Sequence, residues 1–323
     1  MRYARLGRTA LEVSRLCLGT MNFGGHTPPA DADAIMDCAL EAGINFFDTA
    51  NVYGGRAGRG ATEEVVGRWL AQGGGRRERV VLATKVFGRM GDGPNERGLS
   101  ARHVRSACEE SLRRLRTDRI DLYQMHHVDR AAPWEEIWQA MEGLVREGKV
   151  LYVGSSNFAG WQIARACETA AARHFLGVVS EQSLYNLTAR TVELEVLPAC
   201  RAYGLGVLPW SPLAAGVLGG TATIGKEGRR AGDLQRRKLA QHGPALEAYE
   251  RLCGDLGAAP AQVALAWLLR DPVVTAPIIG PRTLAQFESA LPAADLELPE
   301  AALTRLDELF PGPGGEAPEA YAW

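Results

Sequence analysis

The sequence predicts a single parallel β/α barrel of eight strands, and three observations support this fold class. The chain has 323 residues, which suits a barrel of about 250 residues with insertions. Short apolar runs alternate with helical segments, as in parallel β/α proteins. The glycine-rich stretches lack the G-x-G-x-x-G spacing typical of a doubly wound dinucleotide-binding sheet. We therefore expect one domain over residues 1–323.

Runs of four to eight mostly apolar residues predict eight buried strands, each followed by a helix. The predicted strands are Leu16–Thr20, Asn45–Ala50, Val80–Lys85, Ile120–His126, Val150–Ser155, Val178–Gln182, Gly206–Ser211 and Ala276–Gly280. The predicted helices cover 31–42, 62–71, 101–115, 134–147, 160–172, 191–202, 260–269 and 283–290. An extra helix is predicted over 245–256, after strand seven, and another over 299–309.

Several boundaries carry recognisable start and stop signals. Ser100 precedes ARHVRSACEESLRRL, and Thr62 is followed by two glutamates, as at helix starts. The stretch QGGGRRER (72–79) is interpreted as a tight connection between a helix and a strand. The polar, glycine-punctuated segment 219–243 is too long for an idle loop, and it predicts either a lid or cofactor clamp, or a solvated insertion.

Composition and charge exclude several classes of protein. With 36 basic and 38 acidic residues and a pI near 6.3, the chain has no excess of positive charge for nucleic acid or an acidic membrane surface. Its six scattered cysteines form no C-x-x-C pair and indicate reduced thiols. No stretch reaches the roughly 18 apolar residues of a membrane-spanning helix, and no secretion signal is recognisable. We expect a soluble, cytoplasmic protein.

Polar side chains gather at the predicted carboxyl ends of the strands, where the reacting groups of a β/α barrel lie. Asp48 ends strand two, Tyr53 follows in its loop, Lys85 ends strand three and His126 ends strand four. Singly, each has an ordinary structural explanation, such as a loop cap or a buried, hydrogen-bonded histidine. Together they supply a counter-ion, a phenol, a cation and an imidazole at one rim, which suffices for proton transfer to a carbonyl oxygen.

The expected chemistry depends on the pairing of Tyr53 with Lys85. A free tyrosine has a pKa of about 10, and a neighbouring ammonium can lower it by roughly 1–3 units. Asp48 would keep Lys85 charged and oriented, and His126 would hydrogen-bond the substrate oxygen beside the Tyr53 hydroxyl. Because none of these groups can deliver electrons, a reduction would need a bound hydride donor.

Eight segments of the sequence resemble those of the aldo-keto reductases, nicotinamide-dependent enzymes built on a (β/α)8 barrel. LGRTALEVSRLCLGTMNFG resembles the family's opening β-hairpin and first strand, and GINFFDTANVYG followed by EEVVG resembles its aspartate and tyrosine signature. The segments LATKV, SLRRLRTDRIDLYQMH, VGSSNF, EQSLYN, LPWSPLAAGVL and IIGPRTLAQFE follow in the family's order. The chain resembles the longer-loop bacterial members of the family.

The resemblance implies a catalytic tetrad of Asp48, Tyr53, Lys85 and His126, with Tyr53 as the general acid. It also implies NADPH as the cofactor, preferred over NADH. Ser156, Asn157 and Gln182 would hydrogen-bond the nicotinamide carboxamide, and Trp210 would stack on the ring. Thr20 and Met21 are also expected to contact the cofactor.

The remaining cofactor contacts are implied along the last two strands and the eighth helix. Ser211, Leu213 and Gly216 would lie along the pyrophosphate, and Gln286 would lie by the adenine. Arg282 and Thr283 would hold the adenosine 2′-phosphate, where a guanidinium and a helix N-terminus suit an anion. The family often has asparagine where this chain has Ala290.

The substrate pocket is predicted with less support, because ordinary loop packing explains the same residues. Its candidate lining is Met21, Asn22, Phe23, Phe87, Arg89 and His127, with Tyr321 or Trp323 from the tail. Strand alternation places His127 on the face opposite His126, so we do not expect it to be catalytic. The expected partner is a small carbonyl substrate, and no metal site is predicted.

Two other functions remain open at this stage. A Schiff-base aldolase barrel would use Lys85 as its nucleophile and need no nicotinamide. A cofactor-sensing protein similar to the potassium-channel β subunits, which resemble this family, would bind the dinucleotide and turn it over slowly.

Overall fold

The computed structural model describes residues 1–220 and 233–318, and for residues 233–239 it describes the backbone only. All eight predicted barrel strands are present and parallel, so the predicted fold class is confirmed. An antiparallel hairpin, β1 (Tyr3–Arg5) and β2 (Glu12–Ser14), precedes them. The barrel strands are β3 (Cys17–Gly19), β4 (Phe46–Asp48), β5 (Val81–Val86), β6 (Ile120–Met125), β7 (Val150–Ser156), β8 (Val178–Gln182), β9 (Gly206–Val207) and β10 (Ile278–Ile279).

Helices connect consecutive strands and pack around the sheet. They are α1 (Pro29–Glu41), α2 (Ala61–Leu70), α3 (Arg76–Arg79), α4 (Ala101–Leu115), α5 (Trp134–Arg146), α6 (Gly160–Ala171), α7 (Val192–Tyr203), α8 (Asp233–Asp255), α9 (Pro260–Leu269), α10 (Leu284–Ala290) and α11 (Glu300–Leu309). As predicted, the Ser100 side chain caps α4 by accepting a hydrogen bond from the His103 N–H.

The sheet closes on itself. Its strands lie in the order β10-β3-β4-β5-β6-β7-β8-β9. The two ends of this order are joined by the Thr275 N–H, which donates to the Val207 carbonyl at 2.9 Å, and by the Ile278 N–H, which donates to the Pro209 carbonyl at 2.9 Å. The carboxyl ends of all eight strands therefore meet at one rim.

The N-terminal hairpin covers the opposite end of the barrel. Leu6 and Val13 of the hairpin are fully buried in the apolar barrel interior. Gly7, at the hairpin turn, has φ +55° and lies so close to β8 that a Cβ there would be 2.4 Å from the Val179 carbonyl oxygen. Access to the barrel is thus left to the rim formed by the strands' carboxyl ends.

Two connections differ from the sequence prediction. The stretch 72–79, expected to be a plain connection, contains the one-turn helix α3, held by Arg77, which donates to Thr117 at 2.8 Å and pairs with Asp121 at 2.9 Å. The extra helix predicted over 245–256 is confirmed but begins earlier, because α8 runs through Pro244. Residues 221–232, about half of the predicted lid, lie outside the described residues, and residues 233–243 belong to α8.

In the described part of the chain, no individual helix has both the length and the apolar character needed to cross a bilayer. Only the consecutive helices Ala240–Asp255 and Pro260–Leu269, bent by 90° from each other, meet that criterion when taken together.

Candidate active site

The four predicted catalytic side chains meet at the rim of the barrel. β4 ends at Asp48 and β5 contains Lys85. Tyr53 lies in the loop after β4, and its ring meets that of His126 edge-on with 5.8 Å between centroids. Asp48, Tyr53 and His126 line a cavity of about 860 Å³, while Lys85 lies behind them with no exposed surface.

All three N–H donors of the Lys85 ammonium are used. They reach Asp48 Oδ2 at 2.5 Å, the Thr49 carbonyl at 2.9 Å and the Tyr53 hydroxyl at 3.2 Å. Burial alone would lower the pKa of Lys85, but its interactions with Asp48 and Tyr53 outweigh burial and raise it. The amine is therefore a permanent cation beside the Tyr53 oxygen, where it stabilises the negative charge that develops as the phenol loses its proton.

The second oxygen of Asp48 accepts two further hydrogen bonds. Oδ1 receives the side-chain amides of Gln124 and Gln182, both at 2.9 Å. Sequence reasoning missed Gln124, although alternation along the predicted strand Ile120–His126 indicates it, because Gln124 lies two residues before His126. With these bonds the buried carboxylate is fully held in place, as a buried charge requires.

His126 is neutral. Its pKa is lowered to about 2, mainly by burial and to a smaller extent by the nearby Lys85 and His127. The imidazole can therefore hydrogen-bond a substrate oxygen but is not a source of protons near neutral pH. The phenol of Tyr53 is the remaining candidate acid of the group.

The expectation that His127 lies on the face opposite His126 is wrong, although His127 does line the cavity, as the predicted pocket lining has it. β6 ends at Met125, so strand alternation no longer applies, and the rings of His126 and His127 stack with 5.1 Å between centroids and 3° between planes. Both rings line the same cavity. Phe87 meets His127 edge-on at 5.4 Å, which places an apolar ring next to this wall.

The residues predicted for the nicotinamide half form one hydrogen-bonded group. The Ser156 hydroxyl donates to the Gln182 carbonyl at 2.8 Å. The Asn157 amide donates to Ser156 Oγ at 3.0 Å and to the His126 carbonyl at 3.2 Å. Its oxygen accepts the Trp210 indole N–H at 3.0 Å, which orients that ring at the cavity wall.

The loop after Trp210 has an unusual backbone. Ser211, Ala214 and Ala215 have φ of 54°, 49° and 59°, and Gly216 has φ of 96°. Non-glycine residues seldom adopt this region unless their surroundings hold them there. Asn186 provides such support by donating to the Ser211 carbonyl at 2.9 Å. The loop lines the middle of the cavity.

The far end of the cavity lies at α10. Arg282 and Gln286 line it, and the Gln286 side chain accepts the Arg282 backbone N–H at 2.9 Å. Thr283 is used differently from the prediction, since its hydroxyl caps α10 by accepting the Gln286 N–H at 3.2 Å. Thr283 is not among the described residues that line the cavity.

The cavity thus runs past most of the predicted cofactor contacts, from Tyr53 to α10. Thr20 and Met21 lie in its wall, beside Asn22. The substrate residues are placed less well by the sequence: Phe23 is fully buried in the core packed against α1 and α2, and Arg89 is exposed beyond the cavity wall. The tail residues Tyr321 and Trp323 lie outside the described residues.

Comparison with known proteins places this site in a wider group. The sequence matches the family described as "Aldo/keto reductase family" over residues 15–310. It is 55% identical, over the full length of both chains, to "Uncharacterized oxidoreductase YrpG" of Bacillus subtilis. It is 35% identical to "Probable voltage-gated potassium channel subunit beta" of Arabidopsis thaliana, over 92% of each chain. It is 32% identical to "Versiconal hemiacetal acetate reductase" of Aspergillus parasiticus, over 96% of this chain and 97% of that one.

Proposed function

The chain belongs to the aldo/keto reductase family, and from that premise we propose that it reduces an aldehyde or ketone to an alcohol with NADPH. Family membership and its oxidoreductase relatives support carbonyl reduction as the type of reaction. The observation that carries the proposal is the Lys85 ammonium 3.2 Å from the Tyr53 hydroxyl, at the end of a cavity large enough for a dinucleotide.

Each member of the tetrad has a separate role in this proposal. Tyr53 gives its proton to the carbonyl oxygen of the substrate. Lys85 stabilises the phenolate that remains, and Asp48 holds Lys85 in position. Neutral His126 donates a hydrogen bond to the same substrate oxygen and so places it next to the Tyr53 hydroxyl.

The residues around the cavity fit the proposed cofactor. When bound, NADPH supplies the two electrons that the tetrad lacks. The indole of Trp210 offers a flat face for the nicotinamide, and the amide oxygen of Gln182 is directed to the same region by the bonds of its NH₂ group to Asp48 and Gln124. The loop of Ser211 to Gly216 would follow the pyrophosphate, and Arg282 would meet the 2′-phosphate.

Arg282→Ala is expected to weaken NADPH binding by about tenfold or more, with little change for NADH. The guanidinium can form a charge-assisted, two-point contact with the 2′-phosphate that NADH lacks. Fluorescence titration with both nucleotides measures the two affinities. Arg68→Ala, which removes an exposed arginine on α2, is the matched control. Equal losses for both nucleotides would show that the 2′-phosphate is held elsewhere.

The Schiff-base alternative conflicts with the surroundings of Lys85. An amine nucleophile must be neutral and reachable by the substrate. The Lys85 amine has no exposed surface, a raised pKa and three hydrogen-bond acceptors. Borohydride trapping of a carbonyl compound on Lys85 without nucleotide would nevertheless contradict the reductase proposal.

The regulatory alternative has support in the β-subunit relatives. A regulatory protein of that kind would bind NADPH but oxidise it slowly with any carbonyl compound. Nucleotide titration followed by a panel of aldehydes and ketones separates the two functions, because only the reductase gives sustained turnover.

A further inference from the structure

Glu181 is a buried carboxyl directly behind the proposed nicotinamide site, and the tetrad does not use it. It precedes Gln182 on β8 and has no exposed surface. Because side chains alternate along a strand, Gln182 reaches inward to Asp48 while Glu181 lies on the opposite face, toward the helices. Cys200 of α7 faces it there, as a buried thiol whose pKa is raised by burial and by Glu181.

The Glu181 carboxyl holds both ends of a short segment that contains two predicted nicotinamide contacts. Oε1 accepts the Phe158 N–H at 3.1 Å and the Ser183 hydroxyl at 2.7 Å, and Oε2 is hydrogen-bonded to the Ser155 hydroxyl. Ser155 and Phe158 flank Ser156 and Asn157. The Glu181 carboxyl therefore supports both ends of this segment, Ser155–Phe158, in addition to the backbone pairing of β7 with β8 and the bond from the Asn157 N–H to the Gln182 carbonyl.

This support acts next to Asn157, whose backbone is left-handed. Its φ is 61°, a region that asparagine adopts more readily than most non-glycine residues but that remains less favoured than the right-handed one. In this conformation Asn157 bonds to the His126 carbonyl and orients the Trp210 indole. Glu181 thus acts on the cavity wall at a distance, through Phe158 and Asn157.

The hydrogen bonds around Glu181 can accommodate a neutral or an ionised carboxyl. Ser155 Oγ lies 3.2 Å from the Ser180 carbonyl oxygen and also contacts Glu181 Oε2. Because the Ser155 hydroxyl has a single proton, it can donate to only one of these two oxygens at a time. If Glu181 is protonated, it donates to Ser155, which donates to Ser180. If Glu181 is ionised, the Ser155 proton turns to Oε2.

Both forms are accessible near neutral pH. Burial raises the pKa of Glu181 to about 7, against the opposing hydrogen bonds from Ser155, Ser183 and the Phe158 N–H. All these groups are neutral, and the Cys200 thiol that faces Glu181 from α7 remains protonated. A proton on Glu181 therefore changes the charge behind the nicotinamide site without breaking the segment's support.

We propose that Glu181 is a positioning residue for the cofactor, which fixes the Ser155–Phe158 segment and, when ionised, favours the oxidised over the reduced nicotinamide. The oxidised ring is positively charged and the reduced ring is not, so a nearby carboxylate distinguishes the two. This inference rests on the proposed function, since it assigns Glu181 to the NADPH site.

The test measures dissociation constants for NADPH, NADP⁺ and adenosine 2′,5′-bisphosphate by calorimetry, from about pH 6 to about pH 8.5. The bisphosphate reports on the adenosine half alone. The proteins compared are the wild type, Glu181→Gln, Glu181→Leu and the control Glu195→Gln, which changes an exposed carboxylate on α7.

In the wild type, the ratio of the dissociation constant for NADPH to that for NADP⁺ is expected to rise about threefold to tenfold from the lowest to the highest pH. A change of this size is expected when one carboxylate interacts with the charged nicotinamide ring at an effective dielectric constant of about 20. Glu181→Gln has the hydrogen-bonding pattern of the protonated acid, so its ratio should stay at the wild type's low-pH value. Glu181→Leu should bind NADPH about tenfold more weakly or worse and the bisphosphate normally.

A pH-independent ratio in the wild type, or the same pH dependence in Glu181→Gln, would overturn the inference while leaving the proposed function intact. Normal NADPH binding by Glu181→Leu would also overturn it. If Glu181→Leu does not fold, the comparison of the wild type with Glu181→Gln decides alone. Failure of the wild type to bind either dinucleotide would instead refute the proposed function.

Discussion

Tyr53→Phe is expected to abolish carbonyl reduction while NADPH affinity stays within about threefold of the wild-type value. Loss of a general acid typically costs about 10²- to 10⁴-fold in rate, and the two imidazoles in this part of the cavity wall, His126 and His127, both have a lowered pKa and do not replace it. The phenylalanine ring fills the same space. Lys85 keeps its bonds to Asp48 and the Thr49 carbonyl, so the buried cation remains compensated.

The effect is measured as kcat for a carbonyl substrate together with the NADPH dissociation constant. Tyr152→Phe is the matched control, since Tyr152 is a half-buried tyrosine of β7 that pairs with Leu122, well before the strand's carboxyl end. A Tyr53→Phe protein that kept more than about a tenth of wild-type turnover would exclude the phenol as the acid.

Lys85→Met is expected to have the second largest effect, because it damages both catalysis and stability. Asp48 would remain buried without its counter-ion, and breaking a buried pair in this way costs about 3–5 kcal/mol of unfolding free energy. Turnover should fall by at least about 100-fold, since the charge developing on Tyr53 Oη would lose the ammonium 3.2 Å away. Chemical denaturation and steady-state kinetics measure the two losses.

The double variant Asp48→Asn/Lys85→Met separates these effects. Removing the stranded carboxylate should restore most of the lost stability, because an asparagine oxygen can still accept the amides of Gln124 and Gln182. Turnover should stay as low as in Lys85→Met. Recovery of turnover along with stability would show that Lys85 has a purely structural role.

The fold was largely predictable from the sequence, because buried parallel strands are continuous apolar runs and the helices between them have capping and turn signals. The exceptions depend on distant contacts. The helix α3 is a single turn of charged residues, stabilised by Arg77 contacts with Thr117 and Asp121 some forty residues away. The glycine and proline at 243 and 244 predict a helix boundary, yet α8 continues through them.

The direction of a side chain in the site was predictable where its place on a strand determines it, whereas the loop residues Tyr53, Trp210 and Arg282 were predicted from their order along the chain and from the family resemblance. Asp48 and Lys85 lie at strand ends and meet as expected. His127 lies beyond the end of β6, where its stacking on His126 follows from the loop alone. The role of Glu181 depends on contacts between β8 and the segment after β7, and the sequence does not show which asparagine takes the left-handed conformation that Asn157 has there.

A single-turnover experiment with the wild-type protein tests the central claim most directly. NADPH-loaded protein is mixed with an excess of an aldehyde from the panel, and the absorbance of the reduced nicotinamide is followed as the alcohol is quantified. Carbonyl reduction by this site predicts that each bound NADPH is oxidised and one alcohol is formed per active site. Tightly bound NADPH that no aldehyde or ketone oxidises would contradict the account and leave a cofactor-binding protein without reductase activity.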